Sequence, residues 1–412
     1  MENNIQLKEM IRSMVIDVLE GKKQETASSQ HIKQASRGQV EPGVFDTVDE
    51  AIQAAKVAQE RFEDCTLATR EKVIADIRAA MRPRVQELAL KTVEETGMGR
   101  VADKVLKLNL TLDKTPGVED LVTECETGDN GMTLYELSAY GVIGAITPST
   151  NPAETLICNT IGMLAAGNAV FFSVHPGAKH LSRLLVSELN QIISKSIGIE
   201  NLIVTLSEPS IESAQEMMVH PDVSLLVVTG GPGVVKQALQ SGKKVIGAGA
   251  GNPPAFVDET ADIKKAAQDI VLGASLDNNI LCIAEKSVVA MRQIEPQLVQ
   301  EMVRVGCVLV ENQQDIQRLV DLTVLPNGTP NKKFVGKNAS VILDAARISY
   351  NGDPRLIIIR TPKDHPFAVI EMLMPILPVV TVDSFDEGLE VCLMLEAGLH
   401  HTATMHSLNM ER

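Results

Sequence analysis

Gly141-Val-Ile-Gly-Ala-Ile-Thr-Pro-Ser-Thr-Asn-Pro152 opens with an apolar run, closes on a polar turn and leads straight into a helical pattern at 154–166. Such a stretch reads as a buried strand, a turn and a helix. The alternation continues with a strand at 169–174, a helix at 178–197, strands at 202–206 and 223–229, and a helix at 234–241. It predicts an α/β fold in which crossover units build a parallel sheet. Upstream, Thr47-x-x-Glu50 forms a capping box, Thr66 or Thr69 opens a longer helix running toward Gly97, and 133–140 alternates as a strand. Downstream, the composition shifts at Gly247-Ala-Gly-Ala-Gly-Asn-Pro-Pro254, and a second series begins with a strand at 255–257 and a helix at 263–276. A domain boundary is placed there, and the Gly-, Asn- and Lys-rich 327–338 reads as a surface excursion.

At the N-terminus, Ile5, Leu7, Met10, Ile11, Met14, Val15, Val18 and Leu19 recur mostly at helical spacing. This predicts an amphipathic helix over 1–20, followed by a flexible linker over 21–43 that has almost no large apolar residue. A tethered helix has no core of its own for its apolar stripe, so a partner groove is expected.

With 412 residues, of which 44% are hydrophobic and 22% charged, the chain is expected to form two to three globular domains at ~150 residues each. A net charge of -15 disfavours nucleic acid and anionic membranes, and the absence of Trp leaves little for base stacking. The uncharged stretch 155–174 is interrupted by Asn159, Gly162, Gly167 and Asn168, which excludes it as a membrane span. Glu2, Glu9 and Asp17 argue against a secretory signal. The six cysteines show no C-x-x-C pair, so free thiols are expected and neither a disulfide framework nor a metal site.

Three segments suggest chemistry. Thr229-Gly-Gly-Pro-Gly233 joins a strand to a helix, where glycines admit a phosphate to the helix N-terminus; a merely structural turn fits equally. Cys282 sits in the polar loop Asp277-Asn-Asn-Ile-Leu-Cys-Ile-Ala-Glu-Lys286, whereas Cys158 and Cys392 fall in apolar helical patterns and Cys307 in a strand. Cys282 is therefore the best nucleophile of the six, against the alternative of an inert packing residue. In Thr147-Pro-Ser-Thr-Asn-Pro152, the Asn151 amide offers a donor to an oxyanion, or marks an ordinary Asn-Pro turn.

Together with His175-Pro-Gly-Ala-Lys179, Glu371-Met-Leu-Met-Pro375 and Gly398-Leu-His-His-Thr402, these segments resemble the aldehyde dehydrogenase superfamily from about Val44 onward. The resemblance is strongest to its coenzyme A-acylating branch, the propionaldehyde and acetaldehyde dehydrogenases of bacterial microcompartments. It implies two Rossmann-like parallel-sheet domains plus an oligomerisation hairpin: an NAD- and coenzyme A-binding domain at 44–248, with an oligomerisation strand near 131–140, and a catalytic domain at 249–405. Residues 406–412 would begin a C-terminal segment that the family continues. Cys282 would attack a short aliphatic aldehyde, with the oxyanion held by the Asn151 amide and the Cys282 backbone. Thr147, Pro148, Thr229, Gly230 and Gly231 would line the NAD site, with His175 and Pro176 near the adenosine ribose and Glu371 at the nicotinamide ribose. Gly247 stands where hydrolytic relatives carry a glutamate base, so coenzyme A, not water, would take the acyl group. His401, beside His400, would handle the proton of the incoming thiol. The N-terminal helix resembles an encapsulation peptide for a microcompartment shell protein, placing the enzyme in the cytoplasm inside a microcompartment, as a homodimer or homotetramer. A glutamyl-phosphate reductase-like activity and an inactive cargo protein are the alternatives.

Overall fold

The computed structural model describes residues 41–412, so the helix expected over 1–20 and nearly all of the linker over 21–43 lie outside the described residues. Strand β1 (Val44–Phe45) leads into α1 (Val48–Glu63). The Thr47 hydroxyl accepts from the Glu50 backbone N–H and donates to the Glu50 carboxylate, closing the first turn. Thr66 caps α2 (Leu67–Met81). The long helix expected toward Gly97 is in fact two. Pro83 brings no N–H to the helical ladder, so the chain passes through a 3-10 turn at Arg82–Arg84 before α3 (Val85–Thr96) stops at Gly97, φ 66°. Next comes α4 (Val101–Lys114), a helix that apolar spacing does not announce because Asp103, Lys104 and Lys107 are buried on its packed side with Leu108 and Leu112.

An antiparallel hairpin of β2 (Glu124–Gly128) and β3 (Gly131–Tyr135) is exposed along its whole length. The strand expected over 133–140 therefore ends at Tyr135. The predicted alternation follows: β4 (Val142–Ile146), α5 (Pro152–Ala165), β5 (Ala169–Ser173), α6 (Lys179–Ile197), β6 (Ile203–Leu206), α7 (Ile211–Val219), β7 (Val223–Thr229) and α8 (Pro232–Leu239). Strand β8 (Lys244–Ala248), short and largely exposed, is not among the expected strands because its Val245-Ile246 pair runs straight into the glycine-rich stretch from Gly247. These strands form a parallel six-stranded sheet in the order β1-β6-β5-β4-β7-β8. Its central strands β4 and β5 are buried throughout, as helices on both faces require.

A second parallel sheet of six strands has the order β11-β12-β13-β10-β9-β14. In chain order it comprises β9 (Pro254–Val257), α9 (Ile263–Ser275), β10 (Ser287–Met291), α10 (Glu295–Arg304), β11 (Cys307–Leu309), α11 (Gln313–Thr323), α12 (Ala339–Ala345), β12 (Leu356–Arg360), α13 (Pro366–Val369), β13 (Ile376–Val382), α14 (Phe385–Glu396) and β14 (Thr404–His406). The excursion at 327–338 returns to the body: the Gly336 carbonyl accepts from Gly99 N (2.8 Å) and Asn278 Nδ2 (2.8 Å). Among the described residues no helix is long and apolar enough to cross a membrane.

Candidate active site

Parallel pairing brings sequence-distant residues to a common sheet edge. In the second sheet Glu371 precedes β13, Cys282 precedes β10, Gly251 precedes β9 and His401 precedes β14, and these four strands are consecutive neighbours. Their meeting point is Gly251. A methyl group added there would lie 2.8 Å from His401 Cγ and 2.9 Å from the Cys282 carbonyl oxygen. The Gly251 N–H reaches the Glu371 carboxylate, and the charge of Glu371 is felt at Cys282. Burial, followed by the Glu371 charge, pushes the Cys282 thiol above its ordinary pKa, with Lys286 pulling the other way. The resting side chain is thus a thiol that must lose its proton before it can act as a nucleophile. Burial likewise raises the Glu371 pKa.

The polar loop that carries Cys282 is no surface loop. Asp277, Asn278 and Asn279 are fully buried and adopt left-handed φ values of 50°, 56° and 64°. Asp and Asn tolerate that region best among residues with a side chain, which accounts for the sequence here. Internal partners satisfy each side chain: Asn278 donates to Gly336 O and Asn338 Oδ1, and Asn279 donates to Ala274 O and Glu285 O. The buried ammonium of Lys286 donates to Asn279 O (2.8 Å), Asn279 Oδ1 (2.7 Å) and Leu281 O (2.8 Å), and burial pulls its pKa down to about 8.

Asn151 stands at the N-cap position of α5, across from α4, with its side chain making no cap bond. Its Oδ1 accepts a short hydrogen bond from Lys107 Nζ, and its Nδ2 donates to Thr150 Oγ1 at 3.2 Å. Lys107 also meets Asp277 Oδ2 (2.6 Å) and Glu154 Oε1 (3.3 Å), which ties Asn151 to the loop that carries Cys282. Sequence reasoning missed Lys104, Lys107, Asp277 and Glu154. The available signal was Lys104, Leu108 and Leu112 at i, i+4 and i+8, a charge standing in an apolar row.

The other predicted residues gather at the C-terminal edge of the first sheet, where open α/β sheets bind ligands. Thr147 and Pro148 follow β4, His175 and Pro176 follow β5, and Thr229 to Gly231 end β7 and cap α8. Gly230 N donates to Ala248 O at 3.2 Å, joining this turn to the end of β8. Two features fit a dinucleotide. The Thr147 hydroxyl is buried with no partner, and the N-terminus of α8 has no side-chain cap, with open space where a Gly231 side chain would stand. His175 is exposed on this edge; desolvation, and then the charge of Lys332, lower its pKa, while its Nδ1 accepts from Gly177 N. The structure does not bring His175 or Pro176 to the Cys282 cluster.

Gly247 lies within β8 and faces Val235. His401 Nδ1 is engaged by Thr402 Oγ1 (3.0 Å), and His400 adopts a left-handed φ of 52°. Cys307 and Cys392 are packed thiols, each pushed up to about 12 by burial, whereas Cys158 faces solvent from α5, contrary to the apolar setting expected for it.

Two layered parallel sheets with a cysteine loop between them define an aldehyde dehydrogenase, and the chain belongs to the aldehyde dehydrogenase family, whose pattern matches residues 19–411. It is 49% identical over 391 residues to propanal dehydrogenase (CoA-propanoylating) of Salmonella typhimurium, covering 94% of this chain and 84% of that one. A propionaldehyde dehydrogenase from the fucose utilisation microcompartment of Clostridium phytofermentans superposes with a TM-score of 0.88 at 46% identity, covering 90% of this chain and 85% of that one. An engineered glycolyl-CoA reductase with bound NADP+ gives a TM-score of 0.87 at 46% identity, covering 90% and 84%.

Proposed function

We propose that this chain is a coenzyme A-acylating aldehyde dehydrogenase that converts a short aliphatic aldehyde, such as propanal or acetaldehyde, to its acyl-CoA. The observation that carries the reading is the convergence of Cys282, Glu371 and His401 on Gly251, with Gly247 offering no carboxylate in β8. Cys282, once deprotonated, adds through Sγ to the aldehyde carbon. The developing oxyanion takes hydrogen bonds from Asn151 Nδ2 and the Cys282 backbone N–H. A nicotinamide dinucleotide held by Thr147, Pro148, the Thr229–Gly231 turn, Glu371, and His175 with Pro176 supplies the hydride acceptor. With the hydride gone, the acyl group remains on Sγ as a thioester. His401 receives the proton of the coenzyme A thiol at Nε2, Nδ1 being engaged by Thr402, and the resulting thiolate displaces Cys282.

In this reading residues 44–248 bind cofactor, 249–405 carry the reacting groups, and the exposed apolar side chains Met132, Leu134 and Tyr135 of the hairpin pair with a second subunit. Residues 1–20 would dock on a microcompartment shell protein; deleting them should abolish co-purification with shells and leave turnover intact. The decisive assay follows NADH and propanoyl-CoA from propanal and NAD with and without coenzyme A, beside Cys282→Ala. Sustained turnover that needs both coenzyme A and Cys282 supports the proposal, and steady turnover without coenzyme A refutes it.

A further inference from the structure

Between α4 and the cysteine loop lies a buried ionic cluster that none of the steps above uses. Lys104 and Lys107 sit one helical turn apart on α4 and both contact Asp277 Oδ2, at 2.9 and 2.6 Å. Asp277 Oδ1 accepts from Arg100 N (2.9 Å), its own N–H donates to Asp103 Oδ2 (2.9 Å), and Asp103 pairs with Arg355 (2.7 Å). Lys104 also donates to Thr150 O (3.1 Å), one residue before Asn151. Through these contacts α4 is tied both to the turn that holds Asn151 and to the loop that holds Cys282.

We infer that Lys107 is a positioning residue for the proposed reaction: it fixes the Asn151 amide with Oδ1 toward the ammonium group, leaving Nδ2 as the oxyanion donor, and holds that amide in register with the Cys282 loop through Asp277. This rests on the reading of Asn151 as the oxyanion donor. The physical argument is one of hydrogen-bond inventory. An asparagine amide has two nearly equivalent orientations about its terminal torsion, and the wrong one would present an oxygen to the developing negative charge. An ammonium group has three donors and no acceptor, so it selects Oδ1. Lys107 donates to Asn151 Oδ1 and Asp277 Oδ2 and forms a looser ion pair with Glu154 Oε1 at 3.3 Å, and its side chain is only 7% exposed, so water has little room to compete. Burial opposes its charge, but Glu154 and Asp277 outweigh burial and raise its pKa; neighbouring Lys104 is lowered, by burial first and then by Lys107. Lys107 therefore keeps its positive charge.

The test is a double-mutant cycle on the full chain, read by the pre-steady-state rate of NADH release from propanal and by the KM values for propanal and NAD. Asn151→Ala should slow acylation by roughly 100- to 1000-fold. Lys107→Met should slow it by about tenfold or more, with the KM for NAD within about twofold, and should add nothing in the Asn151→Ala background. Because Lys107→Met leaves two carboxylates underpaired, Lys107→Met/Glu154→Gln, which retains the cluster's net charge, is measured beside it and should show the same loss. The inference is overturned if the charge-balanced variant acylates at the wild-type rate, or if the Lys107 loss multiplies in full when Asn151 is already alanine. A wild-type rate in Asn151→Ala would instead sink the oxyanion reading on which it rests.

Discussion

Gly251→Ala tests the convergence on which the active site depends. Gly251 does not have a positive φ, so its backbone accepts alanine and any effect comes from the added methyl. That methyl would meet His401 Cγ at 2.8 Å and the Cys282 carbonyl oxygen at 2.9 Å, whereas ordinary contact begins at 3.4 Å. Something must therefore move by about half an ångström, and displacements of this order cost up to ~100-fold when they misplace a reacting group. The imidazole can turn away; the Cys282 carbonyl cannot, because its loop is held by Lys286 and Asn279. We expect kcat to fall by about tenfold to 100-fold, with a stability loss of ~1–3 kcal/mol from overpacking. Stopped-flow NADH release separates the two responses. A slowed burst means that the cysteine loop moved, and a normal burst with slow coenzyme A-dependent turnover means that His401 moved. Wild-type burst and turnover, each within about twofold, would refute the geometry.

His401→Ala should keep the NADH burst of about one equivalent per subunit while slowing coenzyme A-dependent turnover by roughly 100-fold or more; loss of the burst would remove His401 from the thiol step. Because the folded environment raises the Cys282 pKa, its thiolate fraction grows with pH, so its alkylation by iodoacetamide should climb about tenfold per pH unit through neutrality. A plateau below the ordinary cysteine pKa of about 8.5 would contradict that sign. Lys286→Met strands three buried oxygens at ~1–3 kcal/mol each, offset in part by the desolvation that the ammonium no longer suffers. It should lower the melting temperature and, by removing a positive charge beside Cys282, slow alkylation at pH 8; faster alkylation would reverse the assigned sign.

Most of the fold was legible because each β4–α5–β5 type unit advertises itself locally: continuous apolar strands such as Ala169–Ser173, a proline or hydroxyl at helix starts such as Pro152, Ser210 and Pro232, a glycine at helix ends such as Gly97 and Gly198. Errors fell where local signals compete. Pro83 broke a helix whose apolar period runs through it, the short edge strand β8 merges into the glycine-rich stretch from Gly247, and α4 buries charge where a periodic reading wants leucine. Local sequence context singled out Cys282 and Asn151 as candidates, and the resemblance of short segments added Glu371 and His401. Tertiary structure alone decided that Glu371, Cys282, Gly251 and His401 lie before neighbouring strands of one sheet, and that Lys107 and Asp277 connect Asn151 to the cysteine loop. The reason is physical. Backbone propensity and apolar period act over a few residues and are written in the chain, whereas the pairing of buried charges and the pKa of a thiol depend on which distant groups share a low-dielectric space, and only packing sets that.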